Sequence, residues 1–398
     1  MMYRFALVLL VACASVDAQV TTLHDAPFAK TSGTVNRNAD AYGETIAVQG
    51  ETVEQAIGMA APASVTFDVR PNNRALLARA AVDGSAGAGL SMSFEVQVDG
   101  KRVGRTERLS GRAKPIDIAV DVTGAKTITL MLHDQRDGAI GENGVWLNPR
   151  LTTAAAPAQT DPRFVLDRSV QQRLFFKPKK AGGPDQRPYY LSLPKPLDDL
   201  RAGNEKLPMI VFLHGIAEGG DDHRRLFIEA IPLYLRDRPS YTASHPFIFV
   251  CPQVPYRQRF RWDNNATYVI ELIEHLRDTL PVDADRIYLT GLSDGGIGTW
   301  AIAQRRPDLF AAVAPVAARA VTPTSAGKTL KDVPAWIIVG GRDHDQRDDA
   351  QAMMQSYKVN GGIYHYRVVP KFGHVIWDQA YLDPALYEWL GQWRRGGR

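Results

Sequence analysis

A chain of 398 residues exceeds what one domain usually needs, and 45% apolar with 23% charged residues is enough to bury a full core. The formal net charge of +4 is small for this length, with lysines and arginines interspersed among acids; this excludes a nucleic-acid surface built as a basic stripe. Two cysteines, Cys13 and Cys251, leave no intrachain disulfide once an N-terminal signal is removed, and no cysteine cluster for a metal. Neither a metal nor a cofactor is expected.

Taken in chain order, the first element is a targeting segment over residues 1–18. MMYR supplies a positive start, FALVLLVACA an apolar run, and Val16-Asp17-Ala18 a small-residue cleavage site before Gln19. The run falls short of the roughly 20 apolar residues needed to cross a bilayer about 30 Å thick, so no transmembrane helix is expected. Leu10-Val11-Ala12-Cys13 resembles the lipobox of bacterial lipoproteins, which would make Cys13 a lipid anchor. The alternative is that Cys13 is a small apolar residue of the signal. Both readings place the protein outside the cytoplasm: periplasmic, extracellular or an outer-membrane lipoprotein.

Residues 19–151 have the texture of an antiparallel β-sandwich. SVTFDV, ALLARAAV, SFEVQVDG, IDIAVDV and TITLMLHD alternate apolar and polar residues and are separated at short intervals by Gly, Asn, Asp and Pro. Asp99-Gly100 predicts a tight hairpin, because both central positions of a type I′ turn need positive φ. TTAAAPAQTDP then breaks the pattern, and residues 152–162 read as a linker.

From residue 163 to 398 the period becomes strand, helix, strand. MIVFLHG, HPFIFVCPQ, RIYLTG, PAWIIVGGRD and YHYRVVP predict strands; TYVIELIEHLRDTL, WAIAQRRPDLF and LYEWLGQWRR predict helices. Apolar strands alternating with helices imply a mostly parallel sheet flanked by helices on both faces. The expected class is therefore α/β, an α/β-hydrolase preceded by a β-sandwich domain.

Gly291-Leu292-Ser293-Asp294-Gly295 fits G-x-S-x-G, and its context makes it specific: it follows RIYLTG directly and opens the next helix. A serine hydroxyl needs a base to take its proton, and the base needs a third group to orient it. The order required in this fold is serine, acid, histidine. Asp343 in GGRD and His374 in FGH each follow a strand, at the sheet edge where open α/β sheets gather functional groups. Asp345 is the alternative acid. His275 lies in a helix and His365 within a strand, which makes them poorer bases, while His344 reads as a loop side chain and His214 as a residue that fixes its own loop. Expected oxyanion donors are the backbone N–H of Asp294 and, by analogy with other HG-x loops, that of Ile216 in FLHGIAEGGDD.

KLPMIVFLHGIAEGGDD, FVCPQVP followed by a tryptophan, VDADRIYLTGLSDGG with GTW, and FGHVIWDQAY together resemble a group of secreted bacterial esterases. That group spans predicted-peptidase, phospholipase/carboxylesterase-like and polyhydroxybutyrate-depolymerase-like enzymes. The resemblance covers roughly residues 163 to 395 and implies Ser293, Asp343 and His374 as the triad. It also implies that Trp262 lies at the cleft, with Glu218 and Asp221 lining the same opening; the alternative for the two acids is a solvated loop. Asp294 departs from the family, which usually has methionine after the serine. FEVQVDGKRV, IAVDVTGAKTITLML and GVWLNPRL resemble the NPCBM type of carbohydrate-associated sandwich. Trp146 and Asp137 are then either part of a sugar-binding face or, for Trp146, a core residue. The resemblance implies a secreted carboxylic-ester hydrolase, with an ester on a small molecule or a polysaccharide as substrate and a glycan at the N-terminal domain. The alternatives are a serine peptidase of the same fold and a non-catalytic carbohydrate-binding protein.

Overall fold

The computed structural model describes residues 18–84, 91–111, 113–134, 143–179, 186–254, 262–319 and 322–397. The expected signal with Cys13, and Asp137, lie outside the described residues. By its internal packing the chain divides between Phe164 and Val165.

In the first unit the alternating segments form strands Ala56–Asp68, Ala75–Val82, Ser91–Val98, Ile116–Asp121 and Thr127–Asp134, and Asn143–Thr152 joins them, all antiparallel to their neighbours. Ala56–Asp68 belongs to both layers. Its first half pairs with Asn143–Thr152 and its second half with Thr127–Asp134, the change falling at Pro62, whose missing N–H suits a break in the ladder. Inward side chains of both layers, including Phe67, Phe94 and Ile118, make the core. Trp146 is fully buried there, edge-on to Phe94 at 5.3 Å, so it closes the sandwich and presents no face to a sugar. Asp99 (φ +49) and Gly100 (φ +75) form the expected hairpin, and Asp99 Oδ1 also accepts the N–H groups of Lys126 and Thr127. The linker-like segment lies along this unit. Gln159 Oε1 accepts from Ala119 N–H, Gln159 Nε2 donates to the Asp117 carbonyl, and Arg163 donates to the Lys114 carbonyl.

The second unit is built on eight strands: β1 (Val170–Phe176), β2 (Arg187–Leu193), β3 (Leu207–Leu213), β4 (Ile248–Pro252), β5 (Val282–Leu292), β6 (Ala312–Val316), β7 (Ala335–Gly340) and β8 (Tyr364–Val369). Their spatial order is β1-β2-β4-β3-β5-β6-β7-β8, with β1 and β2 antiparallel and the remainder parallel. Strands β2, β3, β4, β6 and β7 are buried along their whole length because helices cover both faces. Among these helices are α1 (Ala266–Thr279), α2 (Asp294–Arg305), α3 (His344–Val359) and α4 (Trp377–Tyr381). Two cores result, one per face: Leu272, Trp300 and Tyr357 belong to one, Tyr234, Tyr288 and Tyr381 to the other. No helix among the described residues is long and apolar enough to cross a membrane.

Candidate active site

Ser293 sits between β5 and α2 with φ +54 and ψ −118. A non-glycine residue held there costs on the order of 1–3 kcal/mol, sustained by the packing around it. Its N–H donates to the Val316 carbonyl of β6 at 2.9 Å, and its own carbonyl accepts from Ile297 at 3.0 Å. The turn is tight enough that a Cβ on Gly295 would stand 1.9 Å from the Leu213 carbonyl oxygen. Gly295→Ala must therefore push the end of β3 off the elbow. We expect it to lower stability by about 3 kcal/mol, read as a thermal midpoint reduced by roughly 6–12 °C. A midpoint unchanged in a scanning-fluorimetry melt would contradict this packing.

His374 Nε2 lies 2.9 Å from Ser293 Oγ, and His374 Nδ1 lies 2.6 Å from Asp343 Oδ2. With the Nδ1 proton donated to the carboxylate, Nε2 is left as the acceptor for the serine hydroxyl. Asp343 follows β7 at the N-cap position of α3, its carboxylate turned to His374 with no capping hydrogen bond to the helix; His374 follows β8. The two loops are tied together, since Arg342 N–H donates to the Phe372 carbonyl and Gly341 N–H to the Val369 carbonyl. The Trp377 ring at the start of α4 meets the His374 ring edge-on at 5.4 Å, fixing its tilt. Asp345, the alternative acid, is an exposed residue in the first turn of α3. His275 stacks on Phe176 and His365 lies edge-on to Trp336, so neither belongs to this cluster.

Ile216 and Asp294 occupy the loop after β3 and the first position of α2. The β3 loop is pinned by buried polar groups. His214 Nδ1 donates to the Gly215 carbonyl at 2.6 Å while Nε2 accepts the Val254 N–H at 3.1 Å. Full burial pushes the imidazole down to about 4, so it stays neutral and keeps both bonds at neutral pH. Gln253 Nε2 donates to the carbonyls of Glu218 and Asp222, and Gly220 N–H to the Val254 carbonyl. Sequence reasoning missed Gln253; the FVCPQVP motif was its signal, through the residue just past a buried strand.

Two expected cleft residues are elsewhere. Trp262 is only 2% exposed: its Nε1–H donates to the His214 carbonyl at 2.9 Å, its ring lies edge-on to the His214 ring, and it fills the space over Gly298 of α2. It supports the loop from below and does not wall the substrate opening. Trp262→Phe keeps most of the volume but leaves the His214 carbonyl unpaired, and is expected to cost about 1–3 kcal/mol by chemical denaturation; no change would mean that water replaces the indole. Glu218 is 1% exposed, beneath the same loop, and so neither lines an opening nor meets solvent. Asp221 is the exposed member of the pair.

Residues 259–360 match the prolyl oligopeptidase family, and residues 18–152 match the NPCBM/NEW2 domain. The structure of a thermostable esterase superposes with a TM-score of 0.50 at 21% identity, covering 83% of this chain and 95% of that one. Residues 165–398 thus have the α/β-hydrolase fold. A curated relative, NocK of Nocardia uniformis subsp. tsuyamanensis, which carries a provisional esterase name, is 30% identical over 81 residues. That match takes in 20% of this chain and 24% of NocK. The CBM51 module of a Clostridium perfringens GH95 protein, solved with methyl-galactose, is 24% identical with a TM-score of 0.31, over 33% of this chain and 99% of that one. The α/β-hydrolase unit is preceded by the sandwich whose residues 18–152 match the NPCBM/NEW2 domain.

Proposed function

We propose that the chain is an exported carboxylic-ester hydrolase working through an acyl-enzyme. The observation that carries this reading is the relay in which Ser293 Oγ, His374 and Asp343 are joined at 2.9 and 2.6 Å, on a serine held at positive φ. Ser293 attacks the ester carbonyl while His374 Nε2 takes its proton. Asp343 holds the imidazole in the required tautomer and stabilises the cation that forms. The N–H groups of Ile216 and Asp294 receive the oxyanion. His374 then protonates the departing alcohol, and a water activated by the same nitrogen releases the acid. An N-terminal unit on the same chain that matches the NPCBM/NEW2 domain supports an acyl group on a polysaccharide, such as acetyl or feruloyl, as the natural ester, with the sandwich holding the glycan.

The prolyl oligopeptidase match favours a second reading, cleavage of a peptide bond by the same residues. Purified protein offered p-nitrophenyl acetate, acetylated xylan, methyl ferulate and a peptide p-nitroanilide separates the two. Ester turnover with inert anilide supports the esterase, the reverse supports the peptidase, and inertness to all four overturns both.

A further inference from the structure

Glu218 is a carboxyl placed where a charge is hard to keep. It is 1% exposed, and both Oε1 and Oε2 are shut away from solvent. Its position is close to the chemistry. Oε2 lies 3.1 Å from where a Cβ on Gly215 would stand, and that same point is 2.6 Å from Leu292 Cδ1. The carboxyl therefore packs against Gly215, the residue before Ile216, whose own Cβ position lies against Leu292, the residue before Ser293.

A second acid, Glu229, faces it. Glu229 itself is extended, and the next residue, buried Ala230, has φ +58. A left-handed alanine costs energy that the packing around it must sustain, so the turn that carries Glu229 is fixed in place. Burial first, then the Glu229 carboxyl, push Glu218 up to about 8. The other titratable group on this loop that the packing buries is His214, neutral and committed to Gly215 and Val254. Asp222 is exposed to solvent and paired with Arg224.

We propose that Glu218 is a positioning residue for the oxyanion loop, acting as a neutral acid that shares one proton with Glu229. While that proton is present, two carboxyls occupy one small space under Gly215 without repulsion. Its loss puts a second negative charge beneath the loop that must stabilise a negative oxygen, and drives the two acids apart. This rests on the esterase reading above. The effect falls on kcat and not on KM, because the oxyanion exists only in the transition state.

The test is a pH profile of p-nitrophenyl acetate hydrolysis, each protein normalised to its own maximum, for wild type, Glu218→Gln and Glu229→Gln. Wild type should lose about tenfold in kcat as pH rises through 8, with KM steady. Glu218→Gln should lack that alkaline fall. Glu229→Gln removes a charge that raises the Glu218 value, so its fall should move to lower pH. A parallel set of thermal midpoints needs no turnover. Glu218 is raised above its unfolded value of about 4.3, so its own contribution to stability is full near pH 4 and is lost as pH rises through 8. Glu218→Gln should flatten that slope and melt several degrees higher at pH 8. An esterase whose alkaline fall survives Glu218→Gln, with unchanged melting slopes, overturns the proposal. Flattened melting slopes in a protein inert to esters would keep the Glu218–Glu229 pair and overturn the esterase reading instead.

Discussion

Ser293→Ala is expected to lower kcat for p-nitrophenyl acetate by about 10⁵- to 10⁶-fold while KM changes little. The alanine leaves the elbow intact, since the backbone bonds to Val316 and from Ile297 do not involve the hydroxyl. On the proposed mechanism, what disappears is the atom that forms the acyl bond, and with it any acyl-enzyme. The Ile216 and Asp294 N–H groups and the binding surface should leave a residual rate about 10³ above that of water, so the variant is not expected to reach zero. The check is steady-state kinetics together with intact-protein mass spectrometry after exposure to a fluorophosphonate. Wild type should gain one adduct and the alanine variant none. A variant that keeps more than a percent of wild-type kcat would remove Ser293 from the reaction.

The second large effect belongs to Asp343→Asn, expected to reduce kcat about 10⁴-fold. The carboxylate oxygen at 2.6 Å accepts the Nδ1 proton of His374 and so leaves Nε2 bare toward Ser293. An amide turned with its NH₂ group toward Nδ1 favours the opposite tautomer, in which Nε2 carries the proton and cannot take the serine's. It also removes the negative charge that stabilises the imidazolium. The side chain of Asp343 is mostly buried (11% exposed), so water is a poor substitute. Asp345→Asn is the matched control. That residue is exposed on α3, and its loss should change kcat by no more than about twofold. If the two variants behaved alike, Asp343 would not be the orienting acid.

Much of this was legible from short stretches of sequence because the chemistry demands local context. A serine between two glycines, directly after a buried strand and before a helix, has few other geometries open to it. An acid and a histidine each following a later strand then fall at the same sheet edge as a consequence of parallel topology. Five sandwich strands were visible in the same way, since a half-buried sheet writes its two faces into alternate residues, while Lys30–Arg37, Lys101–Thr106 and Asn143–Thr152 were not read. Strands β1, β2 and β6 were not read. VQQRLFF runs three polar residues together with no alternation, RPYYLSL is buried on both sides with no alternation, and AVAPV is five residues long with a proline.

The residues around the triad divide the same way. Sequence by itself determined the class of fold, the turn that strains Ser293 and the three residues that meet there, because each depends on its immediate neighbours and on strand order. Only the tertiary structure decided what Trp262 and Glu218 do. A charged loop residue defaults to solvent in any local reading, and a tryptophan beside a catalytic loop defaults to the cleft. Here the chain folds the loop after β3 down onto Val254 and Gln253, so the tryptophan finds the carbonyl of His214, 48 positions away. The same closure traps Glu218 against Gly215 and Glu229. Burial is a property of everything packed around a side chain, and no window of sequence contains that.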